Sequence, residues 1–231
     1  MKNKVLIPLF IIAPALCACH GISITADEAL GIIGNIENNI KDKIPFDNFI
    51  ETHKNKTASS EIEEKKFFNR ELKYFHHFRI ALNSDLSENW TYVKDNYIYD
   101  VNRVISGEIE PGDIPLYTIT SKVSYSDATW LEREKAFMND VFSYYGTAIT
   151  NCKNFIDDTR ANVKFESSNT NSLYVTARQN VEATQSKEIV FNYEFKNSQL
   201  IMQNRKDDEN FETYEWSYGE VKIAYPAVDE Q

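Results

Sequence analysis

Two spacings of apolar residues divide the chain into elements. Steps of three and four connect Ala26, Ala29, Leu30, Ile33, Ile36 and Ile40, an apolar stripe that predicts a helix to about Lys41. Thr25 and Glu28 have the spacing of a capping box at its start, and Pro45 stands just beyond its end. A second stripe, through Trp130, Phe137, Val141, Tyr144, Ala148, Cys152 and Phe155, predicts a longer helix. Ser126 or Asp127 caps it, Gly146 marks a bend or a break, and Asp157-Asp158 ends it.

Between and after the helices the period falls to two, which predicts strands. Leu72, Tyr74, Phe78, Ile80 and Leu82 fall on one face, with Lys73, His77 and Arg79 on the other. Residues 90–93 and 97–101 read as a hairpin around Lys94-Asp95-Asn96, residues 110–113 as a turn, and residues 116–125 as a further strand. The acidic runs Glu61 to Glu64 and Asp207 to Glu209 read as solvated turns, because neither has the alternating oxygen-ligand spacing of a calcium loop. The last third reads as six antiparallel strands, over 163–165, 173–177, 187–195, 199–205, 211–218 and 220–225. In the third of these Ile189, Phe191, Tyr193 and Phe195 share a face, so the sheet is covered on one side and wetter on the other.

The first residues follow another pattern. Lys2 and Lys4 precede an uncharged apolar run from Val5 to Leu16, too short to span a hydrocarbon core of about 30 Å, and this is the plan of a signal peptide. The run closes on Leu16-Cys17-Ala18-Cys19, which resembles the lipobox of bacterial lipoproteins, although Cys17 stands where that pattern usually has Ala, Ser, Thr or Val. The resemblance implies cleavage between Ala18 and Cys19, with lipid on the Cys19 thiol holding the chain to the outer face of a bacterial membrane. Two or three acyl chains, at about 0.8 kcal/mol per buried methylene, hold a protein durably. Cleavage after Ala18 without lipid, or an uncleaved anchor, are the alternatives. The organisation expected is therefore a signal peptide over 1–18, a lipidated tether over 19–24 and one domain over 25–231.

Charge and composition narrow the partners. The net charge is −10, and losing residues 1–18 removes two lysines and no acid. An acidic surface argues against nucleic acid and against adhesion to anionic headgroups, and suits a solvated domain standing off from the bilayer. With Cys19 lipidated, Cys152 is left alone, so no intramolecular disulfide forms, and its place in an apolar stripe makes it a core residue.

Motifs for chemistry are few. His76 and His77 are adjacent on a strand and point to opposite faces, so one metal does not easily take both. His20 and His53 stand apart, and no cysteine has a metal-ligand spacing. No glycine-rich phosphate loop, Gly-x-Ser-x-Gly elbow or His-Glu-x-x-His occurs, so no cofactor and no enzyme activity is expected.

The order of signal, lipobox, helix, strands, long helix and an alternating meander running into Val221-Lys-Ile-Ala-Tyr-Pro226 resembles the lipoprotein-carrier architecture. That architecture is shared by the periplasmic carrier and outer-membrane receptor of lipoprotein sorting. The resemblance covers Thr25 to Pro226 and implies an α+β fold, a curved and unclosed half-barrel of antiparallel strands covered by two or more helices. It implies an acyl chain or other apolar ligand between sheet and helices, with Phe78, Ile80, Phe191, Tyr193 and Trp216 as lining residues. The same apolar faces also fit a solid core, and then an envelope-structure or protein-interaction lipoprotein whose partner the sequence does not name. The anchor has a direct test: labelling of the protein by a radioactive lipid precursor is expected to vanish in Cys19→Ser, and labelling that persists would refute it.

Overall fold

The computed structural model describes residues 21–41, 47–81, 85–106, 117–158, 161–180 and 188–228. The signal segment, Ala18, Cys19 and the expected turn at 110–113 lie outside the described residues, as does the side chain of Tyr144. The elements in chain order are β1 (Ile22–Ile24), α1 (Ala26–Lys41), β2 (Asn48–Lys56), β3 (Glu61–Asn69), β4 (Tyr74–Ala81), β5 (Leu86–Lys94), β6 (Tyr97–Ile105) and β7 (Thr118–Ser124). They continue with α2 (Asp127–Asp157), β8 (Ala161–Asn169), β9 (Ser172–Asn180), β10 (Glu188–Lys196), β11 (Gln199–Lys206) and β12 (Phe211–Tyr218). The fold is α+β, with one curved, unclosed antiparallel sheet.

Among the described residues, twelve strands form that sheet in the order β1-β8-β9-β10-β11-β12-β2-β3-β4-β5-β6-β7. Two meanders, β2 to β7 and β8 to β12, meet at the antiparallel β12–β2 pair, where Trp216 lies opposite Glu51. Tight turns set the local register. Asp95 and Asn96 have φ of 48° and 66°, and Asn197 and Ser198 have 51° and 62°. Two successive residues of positive φ give a loop whose twist matches the strands it joins.

The helices begin as their caps dictate. Thr25 N donates to Glu28 Oε2 at 2.8 Å and Glu28 N donates to Thr25 Oγ1 at 3.3 Å, the reciprocal capping box. Ser126 Oγ accepts from Thr129 N at 3.2 Å at the start of α2. Gly146 does not break α2, whose 31 residues run on as one helix, about 46 Å long at 1.5 Å per residue.

That length lets α2 cross most of the sheet. Its first turns meet β4 and β6: the rings of Phe75 and Trp130 lie 5.6 Å apart, and Arg133 pairs with Asp100. Phe137 then stacks on Phe75 at 4.6 Å and on Phe68 of β3 at 6.0 Å. Beyond it, the Tyr145 hydroxyl donates to Ser198 O at 2.9 Å and accepts from Leu200 N at 2.5 Å, filling the inward position. Asn151 and Phe155 reach β10, at Tyr193 and Phe191. Helix α1 lies beside α2, tied by Lys153 and Glu37 at 2.7 Å, and Ala29, Ile33 and Ile36 are buried in the same core.

Four expectations are corrected. Residues 22–24, read as a tether, form β1 and pair with β8. Glu61 to Glu64 is not a turn but the start of β3, because its charges have partners across the ladder or beside it: Glu61 with Lys56, Glu63 with Lys65, Glu64 with Arg79. Residues 220–225 form no strand. β12 already pairs with β11 and β2, leaving no ladder edge, and the segment crosses the far face of the sheet, where Tyr74 donates its hydroxyl to Ala224 O.

The fourth concerns β4. Phe75, not Tyr74, Phe78 and Ile80, packs with the residues under α2. Tyr74 instead joins Trp90, Tyr92, Tyr99 and Val101 in a second core, with Ile223 and Val228 of the C-terminal segment packed on it. Both faces of β4 therefore carry apolar cover, and alternation alone could not say which was the inner one.

Tyr145→Phe would leave the buried Leu200 amide and Ser198 carbonyl without their shared hydroxyl. A loss of about 1–3 kcal/mol is expected in urea unfolding, with little change in slope.

Candidate functional site: the cleft between the long helix and the sheet

The helix-facing side of the sheet divides into a filled part and an open part. Over β8 to β12 it is filled: Phe165, Leu173, Val175, Tyr193, Phe195, Leu200 and Trp216 are buried against the helices. Over β4 to β6 the covering is incomplete, and a cleft of about 490 Å³ opens beside α2. A volume of that size lies within the roughly 300–1,000 Å³ common for small-molecule sites.

The cleft is assembled by strand register and helix period. Phe75 lies opposite Thr91, and His77 opposite Asn89, on the β4–β5 ladder; Thr91 lies opposite Asp100 on β5–β6. All five line the cleft. Helix α2 contributes Arg133, Ala136 and Phe137, spaced three and four apart so that they share a face. The stacked rings of Phe75 and Phe137 give an apolar wall.

Opposite that wall is an ordered polar group. Arg133 grips Asp100 with two nitrogens, Nη2 at 2.7 Å and Nε at 3.2 Å from Oδ2, and Thr91 Oγ1 donates to Asp100 Oδ1 at 2.8 Å. The hydrogen bonds that Arg133 donates to Asp100 raise its own pKa above the ordinary guanidinium value, against a smaller opposing effect of burial. A cleft with one aromatic wall and one charged wall suits an amphiphile, whose apolar part lies on the rings while its polar part meets Arg133, Asn89 or His77.

Along the strands from the cleft, the same face is charged. Lys66 and Glu51 form a buried pair at 3.1 Å, and Trp216 Nε1 donates to Glu51 Oε2 at 2.9 Å. Beyond it His53 stands between two carboxylates, Nδ1 at 3.3 Å from Glu64 and Nε2 at 3.3 Å from Glu212, with its ring stacked on Tyr214 at 4.1 Å. Arg79 Nε holds the other oxygen of Glu64 at 2.9 Å. This cluster straddles β12, β2 and β3, the seam between the two meanders.

Burial works against a charged His53, but the hydrogen bonds and charges of Glu212 and Glu64 outweigh it and carry its pKa up to about 9. Hydrogen bonding to His53 lowers both carboxylates, against their own burial.

Of the lining residues expected from sequence, three lie beneath the helices and two do not. Tyr193 and Trp216 are buried in the main core and Phe191 packs at its edge against Phe155. Phe78 and Ile80 stand on the opposite face, and Ile80 is 40% exposed. None of the five borders the cleft. The two neighbouring histidines do diverge: His77 lines the cleft, while His76 stacks on Trp90 at 4.3 Å in the second core. Sequence reasoning missed Asp100, Arg133, Asn89 and Thr91, and the only signal for them was that Arg133 stands one helical turn before Phe137.

Compared with known proteins, the chain matches no protein-family model and no curated protein sequence.

The charged seam has a pH signature. His53 titrates near 6.5 unfolded and near 9 folded, so its contribution is full below about pH 6.5 and is lost as pH rises toward 9. The lowered Glu64 and Glu212 contribute above about 4.5, their unfolded value, and lose that contribution as pH falls below it. Thermal melts of wild type and His53→Gln are therefore expected to differ most between pH 4.5 and 6.5 and to converge by pH 9.5. A constant difference across that range would contradict the assignment.

Proposed function

We propose that this protein is an exported lipoprotein, cut between Ala18 and Cys19 and anchored by lipid on Cys19, whose half-barrel binds an amphiphile in the cleft beside α2. The Leu16-Cys17-Ala18-Cys19 sequence supports the anchor. Among the described residues no helix is long and apolar enough to cross a membrane, so the covalent lipid is the membrane attachment in this reading.

The observation that carries the binding role is the cleft itself: about 490 Å³, walled by Phe75 and Phe137 on one side and by the Asp100–Arg133 pair on the other. An apolar tail excludes water from the two rings, each of which offers a large hydrophobic surface. A polar head gains hydrogen bonds at the open side, where Arg133 is already oriented by Asp100 and Thr91 and so loses little freedom on binding. The likeness of the fold class to the lipoprotein-carrier architecture agrees with an acyl chain as the tail, but here the ligand lies over β4 to β6. No covalent chemistry is part of this reading.

A second reading is favoured by the filled core over β8 to β12, where the helices pack on side chains and not on a cavity. It makes the protein an envelope-structure or interaction lipoprotein that meets a protein partner through its outer surface.

Ala136 is exposed on α2 and borders the cleft, so Ala136→Trp fills the space without disturbing the core. Purified protein is expected to release an amphiphile into organic solvent, detected by mass spectrometry, and to take up a fluorescent fatty acid. Ala136→Trp is expected to lower that uptake at least tenfold, the equivalent of about 1.4 kcal/mol. No extracted amphiphile and no uptake by wild type would favour the second reading.

A further inference from the structure

We infer that the rim of the sheet formed by the β8–β9 and β10–β11 turns lies against the headgroup region of the bilayer, with the acidic opposite rim pointing away. This rests on the reading that Cys19 carries the lipid.

The chain between the anchor and the first pinned residue is short. β1 begins at Ile22, which pairs with Ser167 near the end of β8. Gly21 is fixed as well: its φ is +139°, and a Cβ there would stand 2.3 Å from Ser167 O and 2.8 Å from Ser168 N. Only glycine fits so close to another backbone at such a φ. Two peptide units therefore separate Cys19 from a residue locked onto the β8 end. Consecutive Cα atoms are 3.8 Å apart, so two peptide units reach no farther than about 8 Å.

The surface at that rim is compatible with headgroups. Residues 167–172 read Ser-Ser-Asn-Thr-Asn-Ser, without a charge, in a chain that is 26% charged. The β10–β11 turn, Asn197-Ser198, is beside it, with Ser198 N donating to Asn171 O at 2.8 Å. Ile22, three residues from the anchor, is 78% exposed.

The antiparallel ladders put the opposite character at the other end. Asp207, Asp208 and Glu209 form the β11–β12 turn, and Asp157 and Asp158 end α2 there, where Asp158 accepts from Gln179 of β9 at 2.9 Å. Eight or nine residues of strand separate the two rims, roughly 25–30 Å. An anionic membrane surface repels such a cluster within about a Debye length, near 8 Å, and tolerates it at that distance. The acidic composition, read from sequence as a domain that stands off, thus becomes an orientation: the neutral rim is close and the acidic rim far.

The test uses the full lipidated chain in phosphatidylcholine and phosphatidylglycerol vesicles that carry a spin-labelled quenching lipid. Cys152 is buried, and Cys19 is occupied, so a single added cysteine takes the dye. Asn171→Cys and Thr170→Cys place it on the near rim, Asp208→Cys on the far one, all three at exposed positions. Quenching is expected to be several-fold stronger at residues 170 and 171 than at 208. A flexible spacer of about twenty residues inserted after Cys19, with a coil dimension of roughly 25 Å, is expected to erase the difference. Protein that floats with vesicles but quenches equally at both rims would overturn the orientation and leave the anchor standing. Protein that does not float would overturn the anchor, and the orientation with it.

Discussion

The packing of α2 across the concave face is the constraint on which the rest of the structure depends. A sheet of twelve strands without closure exposes a wide inner face, and a single amphipathic helix long enough to cross it is the most economical cover. Its apolar positions meet β4, β3, β11 and β10 in turn, from Trp130 to Phe155. Where Tyr145, Ala148, Ile149 and Cys152 sink between α1 and the C-terminal meander, the face is filled. Where α2 passes β4 to β6 without a second helix beside it among the described residues, the cover is partial and the cleft remains. Site and core are thus two ends of one packing arrangement.

Beyond the reach of the helices, the concave face turns charged. Glu51 and Lys66 are buried beside the core with Trp216 satisfying the remaining carboxylate oxygen. Such a pair contributes little net stability, because desolvation offsets the attraction. What it adds is register, since either charge left without its partner is costly. His53 between Glu64 and Glu212 does the same one step further along, fixing β12, β2 and β3 relative to one another at the seam of the two meanders.

Much of the fold was legible in the sequence, and the failures have specific causes. The capping box at Thr25, the turn at Asp95-Asn96 and the inward set Phe191, Tyr193 and Phe195 rest on local chemistry, and local chemistry decided them. The inner face of β4 did not follow, because Tyr74 and Phe75 both find apolar cover and the C-terminal segment that covers Tyr74 is more than a hundred residues away in sequence. Glu61 to Glu64 read as solvated because pairing with Arg79 and Lys56 is a property of the ladder and not of the segment. The cleft was the least legible feature. Asp100 and Arg133 are 33 residues apart, and only the crossing of α2 over β6 brings them together.

In the proposed reading, ligand lies over β4 to β6 and not within the filled part of the half-barrel. Backbone amide chemical shifts recorded while a short-chain amphiphile such as decanoate is titrated into isotope-labelled protein test it most directly. Perturbations are expected to cluster at Phe75, His77, Asn89, Thr91, Arg133 and Phe137. Perturbations centred instead on Cys152, Phe155 and Tyr193, or none at saturating amphiphile, would contradict it.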